Sequence, residues 1–154
     1  GRRPVGYRNI VVGTDGSATT EKAVAHAAQI AKTFGARLTI VTAYVHDKLK
    51  EARTTGDVPV EFAWMAKDVN EAESRAKRGK ALAKTLGVTD VVVRTGDADP
   101  ATALINAAEE GGGDLIVTGN RGITEATRGL KGNVPNKVSH HAPCDVLIVH
   151  TTDG

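Results

Sequence analysis

Two groups of residues in this chain have types and spacings suited to gripping an anion. The first is Gly119-Asn120-Arg121-Gly122, followed after nine residues by Gly132-Asn133-Val134-Pro135. Gly119 and Gly122 permit a tight turn and let backbone N–H groups approach a phosphate with no Cβ in the way. The return at Gly132 predicts a helix start, where the first amides lack intrahelical partners and the helix dipole is positive. Arg121, with Arg128 and Lys131, adds positive charge. The second group is Gly13-Thr14-Asp15-Gly16-Ser17, a turn cluster directly after the apolar run Ile10-Val11-Val12. Neither spacing is that of a Walker-type phosphate loop or a dinucleotide GxGxxG. The triplet Gly111-Gly112-Gly113 precedes an apolar run, which is the wrong context for a phosphate loop.

Such groups need a scaffold, and hydrophobic periodicity predicts one. After a first strand over Asn9–Val12, Ser17 caps a helix reaching Phe34, with Val24, Ala27, Ala28 and Ala31 inward and Gly35 closing it. A second strand spans Arg37–Tyr44, and residues 46–61 read as a long polar excursion. A helix over 62–86 carries Met65, Val69, Ala72, Ala76, Ala83 and Leu86 on its apolar face. The third strand is expected at Val88–Thr95. Asp99-Pro100 opens a helix with Ala101, Leu104, Ile105 and Ala108 buried. A fourth strand at Leu115–Val117, a short helix from Asn133 to about His141 and a fifth strand at Val146–Val149 complete the chain. Strands alternating with helices, several continuously apolar, predict an α/β domain over residues 1–154: a parallel sheet with helices on both faces. Ligands of such sheets bind beyond the carboxyl ends of the strands, where the winding reverses. With the first strand central, its exit loop faces Thr118-Gly119.

Composition removes several functions. Twenty basic against eighteen acidic residues leave a formal charge of +2, too balanced for a dedicated nucleic-acid binder. Two Tyr, two Phe and one Trp in 154 residues are too few for a base-stacking platform. No run approaches the roughly 18 apolar residues of a membrane helix. A single cysteine, Cys144, excludes an internal disulfide and a cysteine-based zinc site; a cytoplasmic setting is the expectation. Adjacent His140 and His141 point about 100° apart on a helix and read as a solvated helix end, so no metal site is expected. The run Arg75, Lys77, Arg78, Lys80 and Lys84, interleaved with Glu71 and Glu73, reads as a solvated face. Thr95-Gly96 stands where a phosphoacceptor receiver domain would carry its aspartate.

The glycine pattern 119–122–132, the opening Ile10-Val11-Val12-Gly13-Thr14-Asp15-Gly16-Ser17 and the closing Val146-Leu147-Ile148-Val149 together resemble the universal stress protein family, in its ATP-binding-motif, UspA-like form. The resemblance runs from about Tyr7 to Thr151 and is similar to actinobacterial members, some of which bind cyclic AMP. It implies a Rossmann-like fold of the adenine nucleotide alpha hydrolase type, strand order 3-2-1-4-5, and ATP or cyclic AMP as ligand, with magnesium accompanying ATP. By position, Gly13, Thr14 and Asp15 would line the adenosine end and Ala43 would offer backbone groups to adenine. Thr118 and Gly119 would lie beside the ribose. Arg121, Gly122, Gly132, Asn133, Val134 and Pro135 would surround the phosphates. Asn133 stands where the family usually has Ser or Thr; it caps a helix well but is a poorer magnesium ligand than a hydroxyl. No general base is assignable, so the expected function is nucleotide-dependent regulation in a stress response, without efficient turnover. Slow ATP hydrolysis and a nucleotide-independent dimeric interaction module are the alternatives. Strand five, Val146, Leu147, Ile148 and Val149, ends the implied sheet with no gatekeeping charge, which predicts a homodimer through that edge.

Overall fold

The apolar run after Asn9 becomes the central strand of a five-stranded parallel sheet. The computed structural model describes residues 6–44, 69–119 and 134–150. Within them the chain runs β1 (Asn9–Gly13), α1 (Ala18–Phe34), β2 (Arg37–Tyr44), α2 (Val69–Thr85), β3 (Val91–Asp97), α3 (Pro100–Gly111), β4 (Leu115–Gly119), α4 (Val134–His141) and β5 (Asp145–Val149). The strand order is β3-β2-β1-β4-β5, with every neighbouring pair parallel. That is the order the family resemblance implies. No described helix is long and apolar enough to cross a membrane.

Period-two alternation divides the core into two layers. Ile10, Val12, Leu38, Ile40, Leu115 and Val117 face α1 and α2. Val11, Val41 and Ile116 face α3 and α4. The helices answer with small residues. Ala23, Ala27, Ala28 and Ala31 of α1 are buried around Val24, and Ala101, Ala103, Ala107 and Ala108 of α3 around Leu104. Alanine loses no side-chain entropy in a helix and lets backbones approach closely. On α2 the device is taken further: Gly79 is buried, and a Cβ there would lie 3.1 Å from Ile40 Cγ2.

Caps fix the helix ends where the residue types predict. Ser17 Oγ accepts from Thr20 N–H at 3.2 Å, and Gly35 closes α1 at φ 64°. Asp99 caps α3, and Gly112 closes it at φ 69°. The glycine triplet is thereby explained. Gly113 N–H returns to Ala108 O at 2.8 Å, and a Cβ on Gly113 would sit 2.8 Å from Val11 Cγ2. It is a helix-closing turn under close packing.

Some expected boundaries move. β3 begins at Val91, because Gly87 and Val88 close α2 by donating to Lys84 O and Ala83 O. Val69 and Leu86, expected on the buried face of α2, lie at its ends and are exposed. Ile105 is only partly buried, its expected place being taken by Ala103 and Ala107. The excursion over 46–61 and the helix entry at 62–68, including Met65, lie outside the described residues.

Candidate functional site

The sheet opens where its winding reverses. The β1–β4 ladder ends at Val12 opposite Val117, whereas β1 continues beside β2 to Gly13 opposite Val41. Thr14 N–H then donates to Val41 O at 2.9 Å, holding β1 to β2 as β4 parts from it. β4 leans the other way and stays paired with β5 as far as Gly119 opposite Val149. The two walls of the resulting crevice are therefore the Thr14–Ser17 turn and the Thr118–Gly119 exit, the two loops singled out by their glycines.

The first wall is held by a local hydrogen-bond network. Asp15 Oδ1 accepts from Ser17 N–H at 2.8 Å and from the Thr20 hydroxyl at 2.9 Å. Thr14 Oγ1 accepts from Gly16 N–H at 3.0 Å. Gly16 sits at φ 83°, a region that favours glycine, so the turn reverses without strain. A cation from α2 finishes it: Arg78 Nη2 donates to Gly16 O at 2.7 Å. Arg75, one turn earlier, pairs with Glu71, and its Cγ would lie 3.3 Å from a Cβ on Gly16. Asp15 thus has a turn-building role as well as its place at the strand exit.

Ala43 is placed by strand alternation. Val41 O turns toward β1 and Tyr44 O toward β3, where it accepts from Ala98 N–H at 2.8 Å. The N–H and C=O of Ala43 therefore point to the β1 side, beyond the last β1–β2 pair. Gly13 faces α3, and a Cβ there would meet Leu104 Cδ2 at 3.4 Å.

On the second wall, Thr118 is buried and Gly119 half-buried at the end of β4. The described part of α4 begins at Val134, and Pro135 is fully buried. Proline has no N–H, so Pro135 has no backbone donor to give a ligand, and its ring serves the packing of α4. Arg121, Gly122, Gly132 and Asn133 lie outside the described residues. α4 is tied to α3 by Lys137, whose Nζ lies 3.1 Å from Asp99 Oδ2, 3.3 Å from Asp99 Oδ1 and 3.1 Å from Thr102 Oγ1. The Thr102 hydroxyl donates to Asp99 Oδ1 at 2.6 Å. Burial alone would raise the Asp99 carboxyl, but the hydrogen bonds from Thr102 and Lys137 outweigh it and hold the group below its usual 3.8.

Sequence reasoning missed three of these residues. Arg78 was one charge in a basic run, and only the glycine-permitted approach of α2 shows which carbonyl it meets. Lys137 and Asp99 are far apart in the chain, so no local pattern links them. Thr42, beside Ala43 on β2, is 1% exposed with no hydrogen-bond partner for its hydroxyl. Cys144 packs against the α3–α4 core layer, and burial, then Asp114 and Asp145, push its thiol up, away from nucleophile chemistry. Among the described residues, no three His, Cys, Asp or Glu side chains gather where a metal ion could be held.

Comparison with known proteins agrees with this fold. The chain shares 37% identity over 156 aligned residues with a universal stress protein of Mycobacterium tuberculosis, covering 95% of this chain and 98% of that one. A universal stress protein crystallised in complex with cAMP superposes with a TM-score of 0.74 at 36% identity, covering 96% of this chain and 99% of the other. The universal stress protein UspA from Lactobacillus plantarum, at 22% identity and a TM-score of 0.70, shares the fold over 96% of this chain and 100% of its own. The model of the universal stress protein family matches residues 6–150. The chain belongs to the universal stress protein family.

Proposed function

We propose that this protein binds an adenine nucleotide, ATP or cyclic AMP, in the crevice between β1 and β4, and that the bound state serves regulation in a stress response. The observation that carries this reading is the parting of β1 from β4 beyond Val12 and Val117, with a glycine-bearing loop on each side. The related protein solved with cAMP supports the ligand class. Gly13, Thr14 and Asp15 form the adenosine wall. Ala43 presents one backbone donor and one acceptor, a pattern that suits the edge of adenine. Thr118 and Gly119 flank the ribose. Gly122, Gly132, Asn133 and the first turn of α4 at Val134 receive the phosphates, with Arg121 beside them. Magnesium would enter only with ATP, and Asn133, which supplies no hydroxyl, is a poorer ligand for it than the Ser or Thr usual in the family.

A few charge-assisted hydrogen bonds at roughly 1.5–3 kcal/mol each reach the roughly −8 kcal/mol of micromolar binding once ordering costs are met. Efficient hydrolysis is not part of the proposal. Asp15 and Asp99, the acids at the helix starts on this edge, are both engaged in structure. Titration calorimetry with ATP and with cyclic AMP tests the reading: micromolar binding of at least one is expected, and millimolar or weaker binding of both would overturn it.

The second element is a homodimer through β5. Leu147 and Ile148 are 37% and 41% exposed on an edge strand, a liability that pairing with a second copy removes. Light scattering at micromolar concentration should give the dimer mass, and a monomer mass would contradict it.

A further inference from the structure

α4 has only eight residues, too few to hold a helical conformation or an orientation unaided. Its apolar anchors are Pro135 and Val138, both fully buried. Its polar anchor is Lys137, which reaches across to the cap of α3. An ammonium has three donors, and three oxygen atoms surround this one: both carboxylate oxygens of Asp99 and the hydroxyl of Thr102. The network closes on itself, because Thr102 donates its single proton to Asp99 and accepts from Lys137. Lys137 therefore spends its donors on α3.

We propose that Lys137 is a positioning residue for phosphate: it fixes the start of α4 against α3 and neutralises the Asp99 carboxylate at the phosphate end of the crevice. The proposal rests on the nucleotide reading above and names a device within that site. Two consequences follow from losing the ammonium. The first turn of α4 loses its polar tether. Asp99 is left as an uncompensated negative charge on the edge where an anion must bind. Both act on the phosphate, and neither touches the adenosine wall at Thr14–Ser17, which is held by its own network and by Arg78. Asp99→Asn is the milder change, because asparagine still caps α3 and leaves no stray charge.

The test is calorimetry on the full chain with two probes, ATP and adenosine. Lys137→Met should weaken ATP about tenfold and adenosine by no more than about twofold. Lys137→Arg should restore most of the ATP affinity, and Asp99→Asn should cost about threefold. A Lys137→Met protein that binds both probes as the wild type does, or loses both equally, overturns the proposal. Should that variant fail to fold, Thr102→Val removes one oxygen of the same network and must show the same split. If wild-type protein binds neither probe, this proposal falls, and the nucleotide reading falls with it when cyclic AMP fails to bind as well. If wild type binds ATP but the variants show no split, only the role of Lys137 is refuted.

Discussion

The two walls of the crevice are built on opposite principles. The β1–α1 turn is held largely by residues within seven positions of one another: the side chains of Thr14, Asp15, Ser17 and Thr20 hydrogen-bond within the turn. The other wall, where α4 follows the β4 exit, is braced against α3 by a contact spanning 38 residues, from Asp99 to Lys137. A local network forms as soon as its turn does and is rigid by itself. A cross-helix brace exists only once both helices have docked, and its strength depends on charge and solvent. The first wall suits a site that reads the shape of an adenosine, and the second suits one that responds to charge.

Breaking the local network has the largest expected effect. Asp15→Ala removes the acceptor for Ser17 N–H and for the Thr20 hydroxyl, and should cost about 2 kcal/mol of stability. Because the adenosine wall itself is loosened, adenosine and ATP should weaken together, each by about tenfold. Denaturant unfolding and calorimetry check both halves. A loss confined to ATP would merge the two walls into one device and remove the contrast.

Arg78→Ala sharpens the comparison, because Arg78 brings a distant side chain to a wall built largely from local contacts. Its hydrogen bond to Gly16 O is exposed, so the stability loss should be about 0.5–1 kcal/mol. Both ligands should weaken equally, by about threefold. An effect as large as that of Asp15→Ala would mean that the turn is not self-supporting.

The smallest effect concerns pH and belongs to the other wall. The carboxyl of Asp99 is held below its usual 3.8 in the folded protein. Its contribution is therefore fully present above the unfolded value and is lost as pH falls through the lower folded one. Its side chain is about one-third exposed, so Asp99→Asn should cost only about 0.5 kcal/mol near neutrality. That difference should begin to shrink as pH drops below about 4 and fade out as the lower folded value is passed. Chemical denaturation of wild type and variant across pH 3–7 measures it, and a gap that widens in acid would contradict the sign.

The same contrast accounts for what was legible in the sequence. Ser17, Gly35 and Asp99-Pro100 announce helix ends by their own chemistry, and the runs Ile10-Val11-Val12 and Leu115-Ile116-Val117 announce strands by theirs. The strand exits that flank the crevice are legible for the same reason, since Gly13 and Thr118-Gly119 follow directly on those apolar runs. β3 was placed three residues early because the valines at 88 and 91 look alike in a strand pattern, and only the hydrogen bond from Val88 N–H to Ala83 O assigns the first to the helix. Arg78 and Lys137 were invisible as site residues. A lysine or arginine on a helix face carries no sign of its partner, and the partners here come from other elements. Thr42 was equally hidden: alternation predicts that it is buried, not that its hydroxyl goes unpaired.

Backbone amide shifts on adding ATP or cyclic AMP test the central claim most directly. The account predicts that the perturbed amides cluster at Gly13–Ser17, Ala43, Thr118–Gly119 and the first turn of α4, all on one edge of the sheet. Perturbations gathered instead along the outer edge of β3 or at the opposite ends of the strands, or a spectrum that saturating nucleotide leaves unchanged, would contradict it.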